Sequence, residues 1–503
     1  MSVNPVVTLL GSTSTASLVG GAPFCPSGHY GTILCYPPNF LKTAYNFPPT
    51  TGKKGIDGTG QTIVIVDAFG SPTIQSDLNA YDSAFGVPDT TVTILCGPSW
   101  TGAVTDTCPL NTVGDIATVG ASAAGLACGG VPGVTGWAEE TTLDVTMSHS
   151  LAPGASIVLL VSNDCFDSSI YSAEMAVVSQ TQYKGSIMSQ SFGEPDDLVT
   201  CLNGVFVGPD FVCTSNDPSL LNLPNSVFQL AQTNQWTVIA SSGDLGANID
   251  FGVTGGLELT PSFPSTSPLV LAAGGTEGSP YGGEFGGPPG TGGVFSCAAG
   301  QTCDTGLVII NGGANGCGTA PRPGEPTSCY PVGYGGESTW NEALTIGLGT
   351  ASGGGMSSLY SVPSYQKPVS NHAFTTLLGI SIKPTGRMTP DVSFNSAVYG
   401  GVLAYLGFLG AWGVFGGTSA ASPAWAGIMA LVNQAHGSPM GFVNPSIYNI
   451  GNSKSFHDIT QGNNAVCLGL CGEDGFLAGK GYDLTTGWGT PNVTHLIEAL
   501  TGS

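Results

Sequence analysis

A doubly wound α/β fold, with a mostly parallel sheet and helices on both faces, is predicted by two features of the sequence. Apolar runs occur as continuous short blocks rather than as alternating patterns, which marks strands buried on both faces of a parallel sheet. Helical stretches lie between those blocks, the order expected of strand–helix–strand units. The first block is Gln61–Asp67 (QTIVIVD), bounded by Gly60 and Gly70. Ser156–Val161, Gly185–Gln190, Trp236–Ser241 and Leu269–Ala273 follow, with helices expected over Trp137–Ser150 and Leu220–Gln235. A last helix is expected over Val493–Leu500. On such sheets ligands bind at the carboxyl ends of the strands, so residues at strand ends are the first to search for chemistry.

Residues 1–55 read as a Pro- and Gly-rich lead-in, and 56–503 as one catalytic-sized domain. Within it, 277–335 is a Gly- and Cys-rich insertion of little periodicity, and 444–503 is a Gly- and Asp-rich tail.

Composition narrows the class. The 503 residues include 77 Gly and 35 Pro, and 41% are hydrophobic, which suits a loop-rich globular enzyme. Only 9% are charged, against roughly 25% in an average domain. With 33 acids, 10 Lys and Arg and a net charge of −23, nucleic acid and anionic membrane surfaces are poor partners. In strong acid the carboxylates neutralise, and so few cations remain that self-repulsion is small. An acidic working environment is therefore expected, with a generic acidic secreted protein at neutral pH as the alternative that composition leaves open.

Fourteen cysteines, an even number, sit mostly in loops. Close pairs occur at Cys25 and Cys35, Cys96 and Cys108, Cys201 and Cys213, Cys297 and Cys303, Cys317 and Cys329, and Cys467 and Cys471, leaving Cys128 and Cys165. Short-loop disulfides in an oxidising, extracellular compartment explain this better than zinc, since no CxxC is matched by a second. No run of 18 apolar residues occurs, and the first residues lack the basic start and apolar core of a signal peptide. A monomer in a processed form is expected.

The strongest chemical signal is Gly416–Gly427 (GGTSAASPAWAG). Small residues permit a sharp turn, after which Ser419 stands at the start of an apolar helix, where free N–H groups face a developing oxyanion. Pro423 is tolerated in the first helical turn. Two bases are available to such a serine. One is His149, with Asp67 at a strand end, in the order Asp, His, Ser. The other is the pair Glu140 and Asp144, four residues apart and so on one helix face. Like charges at that spacing cost stability unless they share a proton. Asp244, in SSGD at the end of a buried strand, is the third candidate: a neutral carboxylic acid there donates to an oxyanion.

Taken together, Ser419 in GTSAASP, Glu140 and Asp144 before Ala152–Ala155 (APGA), and Asp244 in SGDLG resemble the sedolisin (serine-carboxyl peptidase) family of the subtilisin-like superfamily. The likeness extends over about residues 40–500. It implies a subtilisin-like fold and acid endopeptidase activity on polypeptides. Glu140 is implied as general base, Asp144 as its supporting carboxyl and Asp244 as oxyanion donor. Ser191, Phe192 and Gly193 match the segment that pairs with substrate backbone. The tail matches the family's calcium site, implying Asp458, Asp483 and the carbonyls of Ile459, Gly479 and Gly481 as ligands. Two departures stand out: the long insertion, and Asp67 with Phe192 where relatives carry a Glu hydrogen-bonded to a Trp. The family's large propeptide has no counterpart in the sequence. A His-dependent peptidase built on Asp67, His149 and Ser419, and an inactive surface protein that kept the fold, are the alternatives.

Overall fold

The structure, a computed structural model, describes residues 6–9, 24–27, 31–52, 55–98, 103, 136–207, 210–247, 259–278, 300–304, 306–312, 330–342, 349–466 and 474–502. At its centre lies an eight-stranded sheet. Its strands are β1 (Thr62–Ala68), β2 (Val92–Cys96), β3 (Ser156–Ser162), β4 (Ile187–Gln190), β5 (Thr237–Ser241), β6 (Leu271–Gly278), β7 (Glu337–Thr339) and β8 (Val392–Asn395). The order β7-β6-β5-β4-β1-β3-β2, with β8 also on β6, is parallel throughout except for the β6–β7 pair.

Why the strands read as unbroken apolar runs is visible in where their side chains go. Successive strand residues point to opposite faces. Ile63 and Ile65 of β1, with Ile157 and Leu159 of β3, enter one core. Val64 and Val66, with Val158 and Leu160, enter the other. The first core is closed by helices α1 (Ile74–Phe85), α2 (Gly136–Leu151) and α5 (Thr418–His436). The second is closed by α3 (Asp167–Val178) and α4 (Asn222–Thr233). Each fully buried Val or Ile contributes about 1.5–3 kcal/mol, so both faces drive the fold. The expected doubly wound, mostly parallel α/β sheet is the one observed.

Helices α2 and α5 run against each other over the sheet. Close approach is set by Gly427, whose Cβ, if it had one, would lie 3.2 Å from Leu151 Cβ and 3.3 Å from the Ser148 carbonyl. Ala420, Ala421, Ala424 and Ala426 are all fully buried on α5. This packing brings the first turn of α5 beside the first half of α2.

Outside the central sheet, the lead-in supplies Val6–Leu9, which pairs with Ala411–Gly416, and Gly31–Tyr36, which pairs with Gly401–Leu406. Part of the 277–335 insertion forms an ordered sheet of its own, Thr302–Asp304, Val308–Asn311 and Tyr330–Tyr334. Its Val308 and Ile310 are buried in the first core while Ile309 and Asn311 are half-buried. Alternation over four residues is too short to be read between Gly- and Cys-rich loops. The tail helix Val493–Thr501 falls where expected.

Cys201 and Cys213 form a disulfide across the hairpin of Cys201–Val207 and Asp210–Asn216. Cys35, Cys96 and Cys165 are likewise disulfide-bonded. The expected pairings that involve Cys108, Cys128, Cys297, Cys317, Cys329, Cys467 and Cys471 fall outside the described residues. Among the described residues no helix is long and apolar enough to cross a membrane.

One fully buried ion pair ties the tail to the sheet. Arg387 Nη2 lies 2.6 Å from Asp391 Oδ2, which also accepts from Ala272 N of β6 at 2.8 Å. Tyr448 donates to Asp391 Oδ1 at 2.8 Å. Removing one partner leaves the other charge buried and alone, at a cost of about 3–5 kcal/mol. Arg387→Met is expected to lower stability by that amount in denaturant titration; a loss under about 1 kcal/mol would contradict the network's role.

Candidate active site

Ser419 is the second residue of α5, and its environment is dictated by the turn before it. Gly417 has φ +101°, and an added Cβ would sit 2.5 Å from Asp244 Oδ2. Only glycine fits both demands. In the first turn backbone N–H groups have no intrahelical acceptor. Thr418 uses its N–H and its Oγ1 to donate to Asp244 Oδ1, each at 2.7 Å. Gly243 N in turn donates to Thr418 Oγ1 at 3.0 Å. Asp244 follows β5, half-buried, so the strand end and the helix start are bonded into one unit.

From α2 come Glu140 and Asp144, both fully buried. The Ser419 hydroxyl interacts with the Glu140 carboxyl, and the Ser191 hydroxyl with that of Asp144. Neither carboxyl has a hydrogen bond of good geometry. Ser191 also donates to the Ser419 carbonyl at 3.3 Å, which fixes the segment after β4 beside the serine. Glu139, one residue earlier, is only half-buried.

Sequence reasoning gave Asp67 to the histidine alternative, and the structure places it elsewhere. Its carboxyl, at the end of β1, interacts with Thr141 and faces Glu140 and Asp144. Three buried carboxyl groups thus share one enclosure, with no Lys, Arg or His paired to them among the described residues. Burial pushes Asp67 up to about 7. Burial first, then the neighbouring acids, holds Glu140 and Asp144 well above the usual carboxylate range, and the hydroxyls of Ser419 and Ser191 pull the other way. Asp244 is pushed up to about 6 by burial, against the two bonds from Thr418.

His149 is not part of this enclosure. It lies nine residues beyond Glu140, half a turn round the helix at 100° per residue. Its Nε2 sits 2.9 Å from the Pro88 carbonyl and 3.3 Å from Asp82 Oδ1, fully buried against α1. The Asp67–His149–Ser419 arrangement is therefore absent: Asp67 pairs with carboxyls and His149 with Asp82. Phe192, 2% exposed, packs against Trp137 at 6.4 Å between ring centroids, and Trp137 Nε1 is buried without a partner. The relay through a tryptophan at position 192 is absent. Thr418, not singled out from the sequence, is the residue that holds Asp244; the only signal for it was its place beside Ser419.

The five tail residues gather at one loop crossing. Asp458 accepts from Gly481 N at 3.0 and 3.1 Å, and Asp483 Oδ2 accepts from Gly479 N at 2.9 Å. Asp483 Oδ1 accepts from the N–H and hydroxyl groups of Thr485 and Thr486. Among the described residues the carbonyls of Ile459, Gly479 and Gly481 accept no backbone hydrogen bond.

The Subtilase family model matches residues 102–447. The chain belongs to the subtilase family, and its relatives place it in the sedolisin branch of that family. It is 27% identical to kumamolisin of Bacillus sp. (strain MN-32) over 92% of this chain and 63% of that protein. With sedolisin of Pseudomonas sp. (strain 101) it shares 29% over 56% of this chain and 38% of the relative. Human tripeptidyl-peptidase 1 is 36% identical over 30% of this chain and 27% of its own length. The chain thus spans less than two thirds of these relatives. In structure, Pseudomonas sedolisin, solved with two molecules of pseudo-iodotyrostatin, shares the fold at a TM-score of 0.64 and 23% identity. That match covers 94% of this chain and 100% of the other.

The carboxyl enclosure has a consequence for stability. A carboxyl whose folded pKa is raised binds its proton more tightly folded than unfolded. Its contribution is full below the unfolded value of about 4 and is lost as pH rises through the folded value. For Asp67 the loss therefore spans about pH 4 to about pH 7. Melting temperature is expected to fall between about pH 4 and about pH 7, and Asp67→Asn to reduce that fall by a few degrees. A melting temperature that rises over this range would contradict the assignment.

Proposed function

We propose that this chain is a secreted serine-carboxyl endopeptidase that cleaves polypeptides in acid through Ser419, Glu140, Asp144 and Asp244. The observation that carries the reading is the buried carboxyl of Glu140 facing the Ser419 hydroxyl, with the histidine on the opposite side of the same helix. Glu140 takes the serine proton as Oγ attacks the scissile carbonyl carbon. For this the enclosure needs to lack one proton, carried as charge on Glu140, while Asp144 and Asp67 stay protonated; the group titrates as a unit. The oxyanion is held by the Ser419 N–H and by a proton on Asp244 Oδ2, the oxygen that Thr418 leaves free. Glu140 then protonates the leaving amine, and water releases the acyl group by the same steps in reverse. Substrate backbone runs along Ser191, Phe192 and Gly193 at the end of β4.

Acid dependence follows from Asp244, which must be protonated to donate. Activity is expected to fall about tenfold per pH unit above its pKa of about 6. Ser419→Ala should abolish hydrolysis of denatured protein, and Glu140→Ala should lower kcat about 100- to 10,000-fold. His149→Ala should leave kcat within about threefold of wild type. Asp244→Asn, a donor at every pH, should move the upper limb of the profile toward neutrality. An optimum at or above about pH 7, or equal damage from His149→Ala and Glu140→Ala, would overturn the mechanism.

We assign the tail crossing to a calcium ion on the chemistry of its donors. Two carboxylates and three carbonyls without backbone donors are the hard oxygen set that such a cation takes. Asp458, Asp483, Ile459, Gly479 and Gly481 would hold it, and its charge would tie the exposed Asp458 to the loop whose Tyr482 and Leu484 are buried in the first core. A bound cation stabilises the native state by mass action. Chelator should therefore lower the melting temperature of the wild type and leave Asp483→Ala unmoved. A wild-type curve indifferent to chelator would remove the site.

A further inference from the structure

On the second face of the sheet, below the segment 191–193, helix α3 presents Asp167, Tyr171 and Glu174 at i, i+4 and i+7, a single stripe. The stripe meets the end of β4. Gln190 Nε2 donates to Glu174 Oε1 at 2.5 Å, and both residues are fully buried. Three residues beyond Ser191, Glu194 opens a short strand paired with Ser262–Phe263, and its carboxyl interacts with that of Asp167. Ser191, Phe192 and Gly193 are thus held at both ends by one helix.

Four polar atoms of this cluster are buried without a partner: Glu174 Oε2, Gln190 Oε1, Tyr171 OH and Glu194 Oε1. The charged or titratable groups facing Glu174 are Asp167 and the Tyr171 phenol, and no described Lys, Arg or His pairs with it. A carboxylate buried in such company is costly unless it is neutral. A protonated Glu174 adds a donor to a cluster otherwise rich in acceptors.

We infer that Glu174, kept protonated, is a positioning residue for substrate binding: through Gln190 it anchors the near end of the segment Ser191–Gly193, whose far end Asp167 anchors through Glu194. The inference rests on the peptidase reading of that segment. When Glu174 ionises, its bond from Gln190 strengthens, but a bare charge is left buried beside Asp167, and the water drawn in to solvate it releases the packing under the end of β4. Substrate then binds more weakly, while the reacting groups on the other face of the sheet are untouched. Burial, with Asp167 adding to it and Gln190 opposing, pushes Glu174 up to about 8, so release falls above the pH range of catalysis and must be read by binding.

The probe is a fluorescein-labelled peptide that the wild type cleaves, titrated by anisotropy against the Ser419→Ala protein from about pH 5 to about pH 9. Its Kd should rise about tenfold between about pH 7 and about pH 9. With Glu174→Gln added, which keeps shape and cannot ionise, the rise over the same range should stay under about threefold. Gln190→Met, lacking the strut, should weaken binding about three- to tenfold at every pH, with circular dichroism unchanged. Superimposed curves for Glu174→Gln and its parent, or parental binding by Gln190→Met, would overturn the inference; Gln190→Met decides it if Glu174→Gln does not fold. Residual cleavage by Ser419→Ala would instead overturn the peptidase reading itself.

Discussion

Three carboxyl groups, Asp67, Glu140 and Asp144, are shut into the first core with no cation paired to them among the described residues. Moving one carboxylate out of water costs several kcal/mol, and a second like charge beside it costs more. Such a group of acids is compatible with a folded chain only if most of its protons stay on. Everything distinctive about the site depends on that constraint. In the proposed mechanism it lets a glutamate, rather than a histidine, serve the serine. It also links the state of the site to pH through the same protons that hold the fold together. Asp244 follows the same rule at the strand end, where a proton changes a carboxyl from an acceptor into a donor.

The fold delivers these groups by simple means. Parallel strands end on one edge, so β1, β4 and β5 bring Asp67, Ser191 and Asp244 to a common line. Helices α2 and α5 cross that line in contact, because Gly427 and the buried alanines let their backbones approach. The start of α5 is then tied to the end of β5 by Thr418 and Asp244. On the far face α3 supports the end of β4 through Gln190. The site is thus braced from both sides of one sheet.

Much of this was legible in the sequence because it depends on local pattern. Unbroken apolar runs marked the strands, and the spacing of Glu140 and Asp144 put them on one helix face. GTSAASP fixed the turn before Ser419. What stayed hidden depends on distance in space. Asp67 lies 73 positions before Glu140 in the chain, and nothing local says that it faces carboxyls rather than His149. The angular offset of His149 was computable, but its partner Asp82 was not. The stripe of Asp167, Tyr171 and Glu174 reads as an ordinary helix until Gln190 is seen against it. The short strands inside the insertion are too brief to show a period between loops of Gly and Cys.

Neutron diffraction from crystals grown in deuterated buffer near pH 5 locates these protons. Deuterium is expected on the Asp244 carboxyl and on two of the three groups Asp67, Glu140 and Asp144. Nuclear density showing Asp244 and all three of these acids ionised would contradict it.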